Sequence, residues 1–213
     1  MKNPSTKKAI DIYGKKITVI GLGLSGMGAA KLANFLGAQV FASDKNQSEH
    51  ILYNAMELMT IHHVASETGL HSDRIYDADL WIISPGISQG QEIIRKAKKL
   101  KINIVGEIEF SSWYTNSKII GITGSNGKTT TASILYKMCQ YDKISPILAG
   151  NIGIPFSERV LDEIKNPDTV NTIIYILEIS SFQMEFVSTF KPDFAIYTNI
   201  TEDHLDRHGS MKE

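Results

Sequence analysis

Two apolar runs, each breaking into a glycine-rich turn and then a helical pattern, predict an α/β chain. The first, Lys16-Ile-Thr-Val-Ile-Gly21, enters Gly21-Leu-Gly-Leu-Ser-Gly26; the second, from Ile119, enters Thr123-Gly-Ser-Asn-Gly-Lys-Thr129. Further short apolar runs separated by helical stretches call for parallel strands with crossovers. The predicted architecture is a Rossmann-like N-terminal domain with a parallel sheet, residues 1–114. It is followed by a P-loop-type α/β central domain, residues 115–213, whose sheet is expected to be incomplete.

At 213 residues there is room for one large domain or two modest ones. With 42% apolar and 21% charged residues the chain is not a disordered one. A net charge of −1, from 22 Lys+Arg against 23 Asp+Glu, excludes a nucleic-acid or anionic-membrane footprint. Cys139 is the single cysteine, so no intramolecular disulfide forms; it reads as a small core residue in a reducing compartment. Lys2, Lys7 and Lys8 make the start basic, but no apolar signal region follows and no run is long enough to cross a bilayer. The expectation is a cytoplasmic protein without membrane insertion.

In the first unit, the G-x-G-x-x-G turn places backbone N–H groups at the start of a helix read from Met27 to Leu36, with Gly37 as its stop. The next strand, Gln39 to Ser43, ends at Asp44, where a dinucleotide fold grips a ribose. These features indicate a nucleotide or diphosphate without saying which. Asp79 to Ile83 reads as a strand and Ser84-Pro-Gly-Ile87 as its carboxyl-end turn, where α/β proteins bind ligands. An amphipathic helix, Gln91 to Lys101, with a solvated lysine face, and a strand, Ile102 to Val105, complete the unit. The polar segment 111–117 marks the domain boundary.

In the second unit, small residues free backbone N–H groups to wrap phosphates, Lys128 neutralises them, and the Thr129 hydroxyl suits Mg²⁺. The loop departs from the general P-loop pattern, with Ile122 where that pattern has glycine. Asn151, in the turn Gly150-Asn-Ile-Gly153, either caps the turn or faces a ligand. The strand from Thr172 to Leu177 ends in Glu178, a candidate Mg²⁺ carboxylate whose alternative is an ordinary buried glutamate. The strand from Asp193 to Asn199 leads into a turn crowded with Asp203, His204, Asp206 and His208. The spacing of His204 and His208 resembles a zinc pair on one helix face, but no cysteine or third histidine is near, and dense carboxylates favour Mg²⁺. His50, His62, His63 and His71 read as surface residues.

Thr123-Gly-Ser-Asn-Gly-Lys-Thr129, Gly150-Asn-Ile-Gly153, Glu178-Ile-Ser-Ser-Phe-Gln183 and Asn199-Ile-Thr-Glu-Asp-His-Leu-Asp-Arg207 together resemble the Mur ligase family of bacterial cell-wall synthesis. Gly21-Leu-Gly-Leu-Ser-Gly26, Ser84-Pro-Gly-Ile87, Gly106-Glu-Ile-Glu109 and the Ser-Ser-Phe-Gln wording resemble its D-glutamate-adding branch. The resemblance implies an ATP-dependent amide ligase that joins D-glutamate to UDP-N-acetylmuramoyl-L-alanine through an acyl phosphate. It implies that the first domain holds the uridine nucleotide rather than NAD. Leu24, Ser25 and Gly26 would meet the diphosphate and uridine, Asp44 and Lys45 would stand nearby, Ser84 and Gly86 would line the site, and Asn151 would face the sugar-linked part. ATP would be held by Gly124, Ser125, Asn126, Gly127, Lys128, Thr129 and Thr130. Thr129 and Glu178 would ligate one Mg²⁺ and His204 a second, with Lys128, Glu178 and His204 catalytic and the complete form monomeric.

By the same resemblance, a third domain and a carbamylated lysine would lie beyond Glu213. The expectation is therefore a truncated chain that does not ligate alone and exposes apolar surface at its unfinished end. Alternatives are another Mur-type ligase, a catalytically silent nucleotide-binding module, or a NAD-dependent Rossmann dehydrogenase. The dehydrogenase leaves the Lys128 loop and the His204 turn without a role.

Overall fold

The computed structural model describes residues 9–140 and 145–208. Lys2, Lys7 and Lys8, and the side chains of Asp206 and His208, lie outside the described set. The first unit holds β1 (Lys16–Ile20), α1 (Leu24–Phe35), β2 (Gln39–Asp44), α2 (Glu49–Thr60), β3 (Ala65–Thr68), β4 (Leu80–Ile83), α3 (Glu92–Lys99), β5 (Asn103–Gly106) and α4 (Glu107–Ser112). Its strands form one parallel sheet in the order β3-β2-β1-β4-β5. The second unit holds β6 (Lys118–Thr123), α5 (Lys128–Cys139), β7 (Ser145–Gly150), α6 (Phe156–Lys165), β8 (Ile173–Glu178), α7 (Ser181–Met184), β9 (Phe194–Tyr197) and α8 (Leu205–His208). Its strands are also parallel, in the order β7-β8-β6-β9. Among the described residues no helix is long and apolar enough to cross a membrane.

Strand order reverses between β1 and β4, and that switch point opens the crevice where α/β sheets bind ligands. In register, Ile20 stands between Ser43 and Ile83, so the β1 loop, Asp44 and the Ser84 turn meet at one sheet edge. The second sheet has the same logic. Ile122 pairs with Glu178 on one side and Ile196 on the other, which brings the Lys128 loop, Glu178 and the turn after β9 together.

The pleat sorts the core. Ile17 and Val19 join a large cluster with Ala29, Leu32 and Ala33 of α1, while Ile20 packs with Trp81, Ile83 and Ile94. The large cluster continues into the second unit through Phe156, Val160, Tyr175 and Leu177. Gly28 allows this approach, because a Cβ there would lie 2.4 Å from Ser157 Oγ.

The structure revises several boundaries. α1 begins at Leu24, so the motif's own Leu-Ser-Gly forms the first helical turn. α3 ends at Lys99 and Lys101 takes φ 59°, a left-handed stop. β4 starts after Asp79, whose carboxylate accepts the Lys16 N–H at 2.9 Å. α2, β3, α4, α6 and α7 have no counterpart among the elements expected from the sequence. The polar segment 111–117 is not a solvated linker: Ser111, Ser112, Thr115 and Ser117 are buried, and the Thr115 and Ser117 hydroxyls donate to Glu163 at 2.7 and 2.8 Å. Cys139 packs, partly buried, against the small cluster of Ile122, Ala132 and Ile176. Phe194, Tyr197 and Ile200 are exposed along and just beyond β9 at the sheet edge.

Candidate functional site

The second glycine-rich loop is held in a shape only glycine permits. Gly124 takes φ 137° and a Cβ there would lie 2.1 Å from Thr198 Oγ1; Gly127 takes φ 81° and starts α5 without a side-chain cap. The first-turn N–H groups of α5 therefore face the loop as an anion-binding end. The turn after β9 braces it: Ser125 N donates to Asn199 O and Asn126 N to Asn199 Oδ1, both at 3.0 Å. Lys128 folds over the loop, its Nζ 2.6 Å from Gly124 O and 2.9 Å from Ser125 O. A cavity of about 460 Å³ opens here, lined by Ser125, Lys128, Phe182, Tyr197, Asn199 and His204. Asn126 and Thr130 are exposed at its side.

Beside the loop, Glu178 ends β8 at 1% exposure. Thr129 Oγ1 donates to its Oε2 at 2.7 Å and Asn151 Nδ2 to its Oε1 at 2.8 Å. Gly150 makes the approach possible, since its Cβ would lie 2.3 Å from Glu178 O. Neighbouring hydroxyl and carboxylate oxygens are the hard donors Mg²⁺ prefers, so Thr129 and Glu178 fit that ion. His204 takes φ 52° just before α8, so it does not share a helix face with position 208, and the zinc-pair geometry falls away. Its ring lies 4.7 Å from Phe182 and its Nε2 3.6 Å from Asp203. Among the described residues no group of three His, Cys, Asp or Glu side chains converges as a metal site.

The first loop is equally constrained. Gly21 takes φ 93°, and a Cβ at Gly26 would lie 1.8 Å from Gly21 O. Asp44 holds this loop from below, accepting the Leu22 N–H on Oδ2 and the Asn46 N–H on Oδ1, each at 2.7 Å. Ser84 Oγ donates to Gly21 O at 3.1 Å, and Asn54, which the sequence reading passed over, donates to Leu22 O at 2.7 Å. Leu24, Lys45 and Gly86 are exposed around the loop, Ser25 is partly exposed and Gly26 is buried. His71 is not a plain surface residue. It is partly buried with Nδ1 2.7 Å from Ser43 Oγ, and burial pushes its pKa down against the pull of Asp44 and Glu67.

The sequence matches two domain families along its length. Residues 15–106 match the Mur ligase MurD-like, N-terminal domain, and residues 122–213 match the Mur ligase middle domain. The chain belongs to the Mur ligase family. It is 40% identical over 202 residues to a UDP-N-acetylmuramoylalanine--D-glutamate ligase of Chlorobaculum parvum, covering 93% of this chain and 41% of that protein. A protein of the same name from Koribacter versatilis is 40% identical over 205 residues, covering 96% and 44%. The chain thus spans about two fifths of the length of these relatives. Among solved structures, the UDP-N-acetylmuramate:L-alanyl-gamma-D-glutamyl-meso-diaminopimelate ligase from Neisseria meningitides superposes with TM-score 0.58 at 20% identity, covering 93% of this chain and 64% of that one. A murein peptide ligase from Psychrobacter arcticus gives 0.55 at 22%, covering 91% and 44%. Both likenesses bear on the α/β fold alone.

Proposed function

We propose that this Mur ligase chain carries the uridine-nucleotide and ATP sites of an ATP-dependent ligase that adds D-glutamate to UDP-N-acetylmuramoyl-L-alanine. The observation that carries this reading is the Thr129–Glu178–Asn151 chain beside the Lys128 loop. It joins a residue read as facing ATP to one read as facing the uridine substrate through a single carboxylate. The identity to D-glutamate ligases over most of the chain supports the choice of amino acid. The dehydrogenase reading accounts for the first loop only.

In this reading the chain divides at 114/115 into the uridine-binding and ATP-binding domains. Leu24, Ser25, Gly26, Lys45, Ser84 and Gly86 border the uridine diphosphate, with Asp44 shaping the loop. The α5 N-terminus and Lys128 hold the triphosphate. The L-alanyl carboxylate oxygen attacks the γ-phosphorus and ADP leaves; the D-glutamate nitrogen then attacks the acyl carbon, phosphate leaves and the nitrogen loses a proton. The electrostatic problem is bringing two anions together, and Lys128 with the N-terminal N–H groups of α5 offsets that repulsion. Thr129 and Glu178, with His204 at a second position, would hold Mg²⁺, which supplies further charge neutralisation when bound. We further propose a cytoplasmic setting and a monomeric complete enzyme.

Calorimetric titration of the purified chain with UDP-N-acetylmuramoyl-L-alanine, with ATP and Mg²⁺, and with NADH tests the reading. Binding of the first two and not of NADH is expected. Binding of NADH without the uridine ligand would sink it.

A further inference from the structure

The turn that carries Ser84 and Gly86, with the residues just after it, is fastened to the walls of the Lys128 cavity through two side chains, Arg207 and Gln89. Arg207 Nε donates to Glu185 Oε1 at 2.6 Å and its Nη2 to Glu185 Oε2 at 3.0 Å. The same Nη2 donates to Ile87 O at 3.2 Å. Its Cζ lies 4.2 Å from the Phe182 ring centre, and the His204 ring lies 4.7 Å from the same ring. The Arg207 and Glu185 side chains are each only 15% exposed. Gln89 Nε2 donates to Glu185 O at 2.6 Å, a second tie between the same segments. Ile87 in turn closes the Ser84 turn, its N–H on Ser84 O at 3.0 Å.

A guanidinium is a rigid planar fork that can grip a carboxylate with two donors and lay its face on a ring at once. Here that plane fixes a carboxylate and an aromatic face from one segment, Phe182 and Glu185, and a backbone carbonyl from another, Ile87. Phe182 and His204 line the cavity of the Lys128 loop, while Ile87 belongs to the turn at the first sheet's switch point. Moving the His204–Phe182 wall moves the arginine plane, and with it the Ser84–Ile87 turn. Arg207 itself does not line the cavity.

We propose that Arg207 is a positioning residue that couples the two nucleotide sites, so that occupancy of one tightens the other. This rests on the assignment of the two sites made above. The first ligand orders the shared latch, and the second then binds to a turn already held.

The test is a set of calorimetric titrations on the whole chain. UDP-N-acetylmuramoyl-L-alanine is titrated alone, and again in the presence of a saturating non-hydrolysable ATP analogue with Mg²⁺. In the wild type the analogue is expected to tighten the uridine ligand by about fivefold or more. In Arg207→Ala and Arg207→Lys each ligand is expected to bind alone as in the wild type, with the coupling factor falling to about one. Lysine keeps the charge and loses the fork, so coupling retained in Arg207→Lys would reduce the latch to surface charge and overturn the proposal. Coupling retained in Arg207→Ala, or no coupling in the wild type, overturns it equally. Failure of either ligand to bind the wild type alone overturns the two-site assignment itself, and the single-ligand titrations show this separately. Should the Arg207 variants melt below the assay temperature, the near-isosteric Glu185→Gln removes the same fork from the other side; lost coupling supports the latch and retained coupling refutes it.

Discussion

Lys128 spends its charge on two carbonyls of its own loop, Gly124 O and Ser125 O. An ammonium so placed is swung toward phosphate without rebuilding the loop, whose shape is set by Gly124, Gly127 and the Asn199 brace. Lys128→Ala is therefore expected to weaken ATP binding about 100-fold or more while leaving UDP-N-acetylmuramoyl-L-alanine binding unchanged, since charge-assisted contacts are the strong ones. Titration of each ligand into the variant checks this, and unchanged ATP affinity would remove Lys128 from the site. A different logic governs Glu107. Its carboxylate is buried, accepts the Ser157 N–H on Oε1 at 2.5 Å, and leaves Oε2 without a partner. Burial raises its pKa from 4.5 to about 6, against the pull of the Ser157 N–H. A carboxyl whose folded pKa is raised stabilises the fold fully below about 4.5 and loses that contribution as pH climbs through about 6. The difference is about 2 kcal/mol. Glu107→Gln keeps the acceptor and removes the charge, so its melting temperature relative to wild type is expected to rise at pH 8 and not at pH 4. A variant less stable at pH 8 would contradict the buried-charge argument.

At the scale of elements, both phosphate-reading turns join a strand end to a helix start, and each is closed by a near contact that excludes side chains. Gly26 is the sharper case, since a Cβ there would sit 1.8 Å from the Gly21 carbonyl oxygen. Gly26→Ala must push the loop apart, so loss of several kcal/mol of stability or an abolished uridine site is expected, measured by denaturant melts and titration. A variant that folds and binds as wild type would mean the loop is soft. These turns were legible in the sequence because phosphate binding demands particular residue types within a few positions: glycine where backbone must approach, lysine and threonine at the helix start. Glu178 and Asn151 were legible as strand-end polar residues, though not their shared hydrogen bonds. What escaped was long-range or counter-intuitive. Arg207 reaches Ile87 across 120 positions, and no local pattern announces such a pairing. α4 and α6 escaped because nothing local marks which of their glutamates are buried. Glu107, Glu109 and Glu163 are buried at the junction of the two units.

For the whole molecule, those carboxylates decide how the units are joined. Glu109 accepts from Ser188 N, Thr189 N and Phe190 N, and from the Trp113 indole. Burial pushes its carboxyl up, but the Thr189 hydroxyl, these backbone donors and the indole outweigh it and hold it below the usual range. Glu163 takes the hydroxyls of Thr115, Ser117 and Tyr175. Glu107 meets the start of α6. Glu107 and Glu109, before the 111–117 segment, accept from residues beyond it, and Glu163, beyond it, accepts from Thr115 and Ser117 within it, so the boundary is a buried seam. The apolar core crosses the same seam, running from Val19 and Ala29 to Phe156 and Tyr175. Shared polar and apolar contacts of this kind make the unfolding of one unit expose the core of the other. Phe156→Ala, at 0% exposure, is expected to cost about 3–5 kcal/mol by the cavity it leaves. The loss should lower hydrogen-exchange protection equally at β1 and β6, although Phe156 lies in the second unit alone. Protection lost at β6 while β1 kept its own would mean that the seam does not bind the units into one cooperative body.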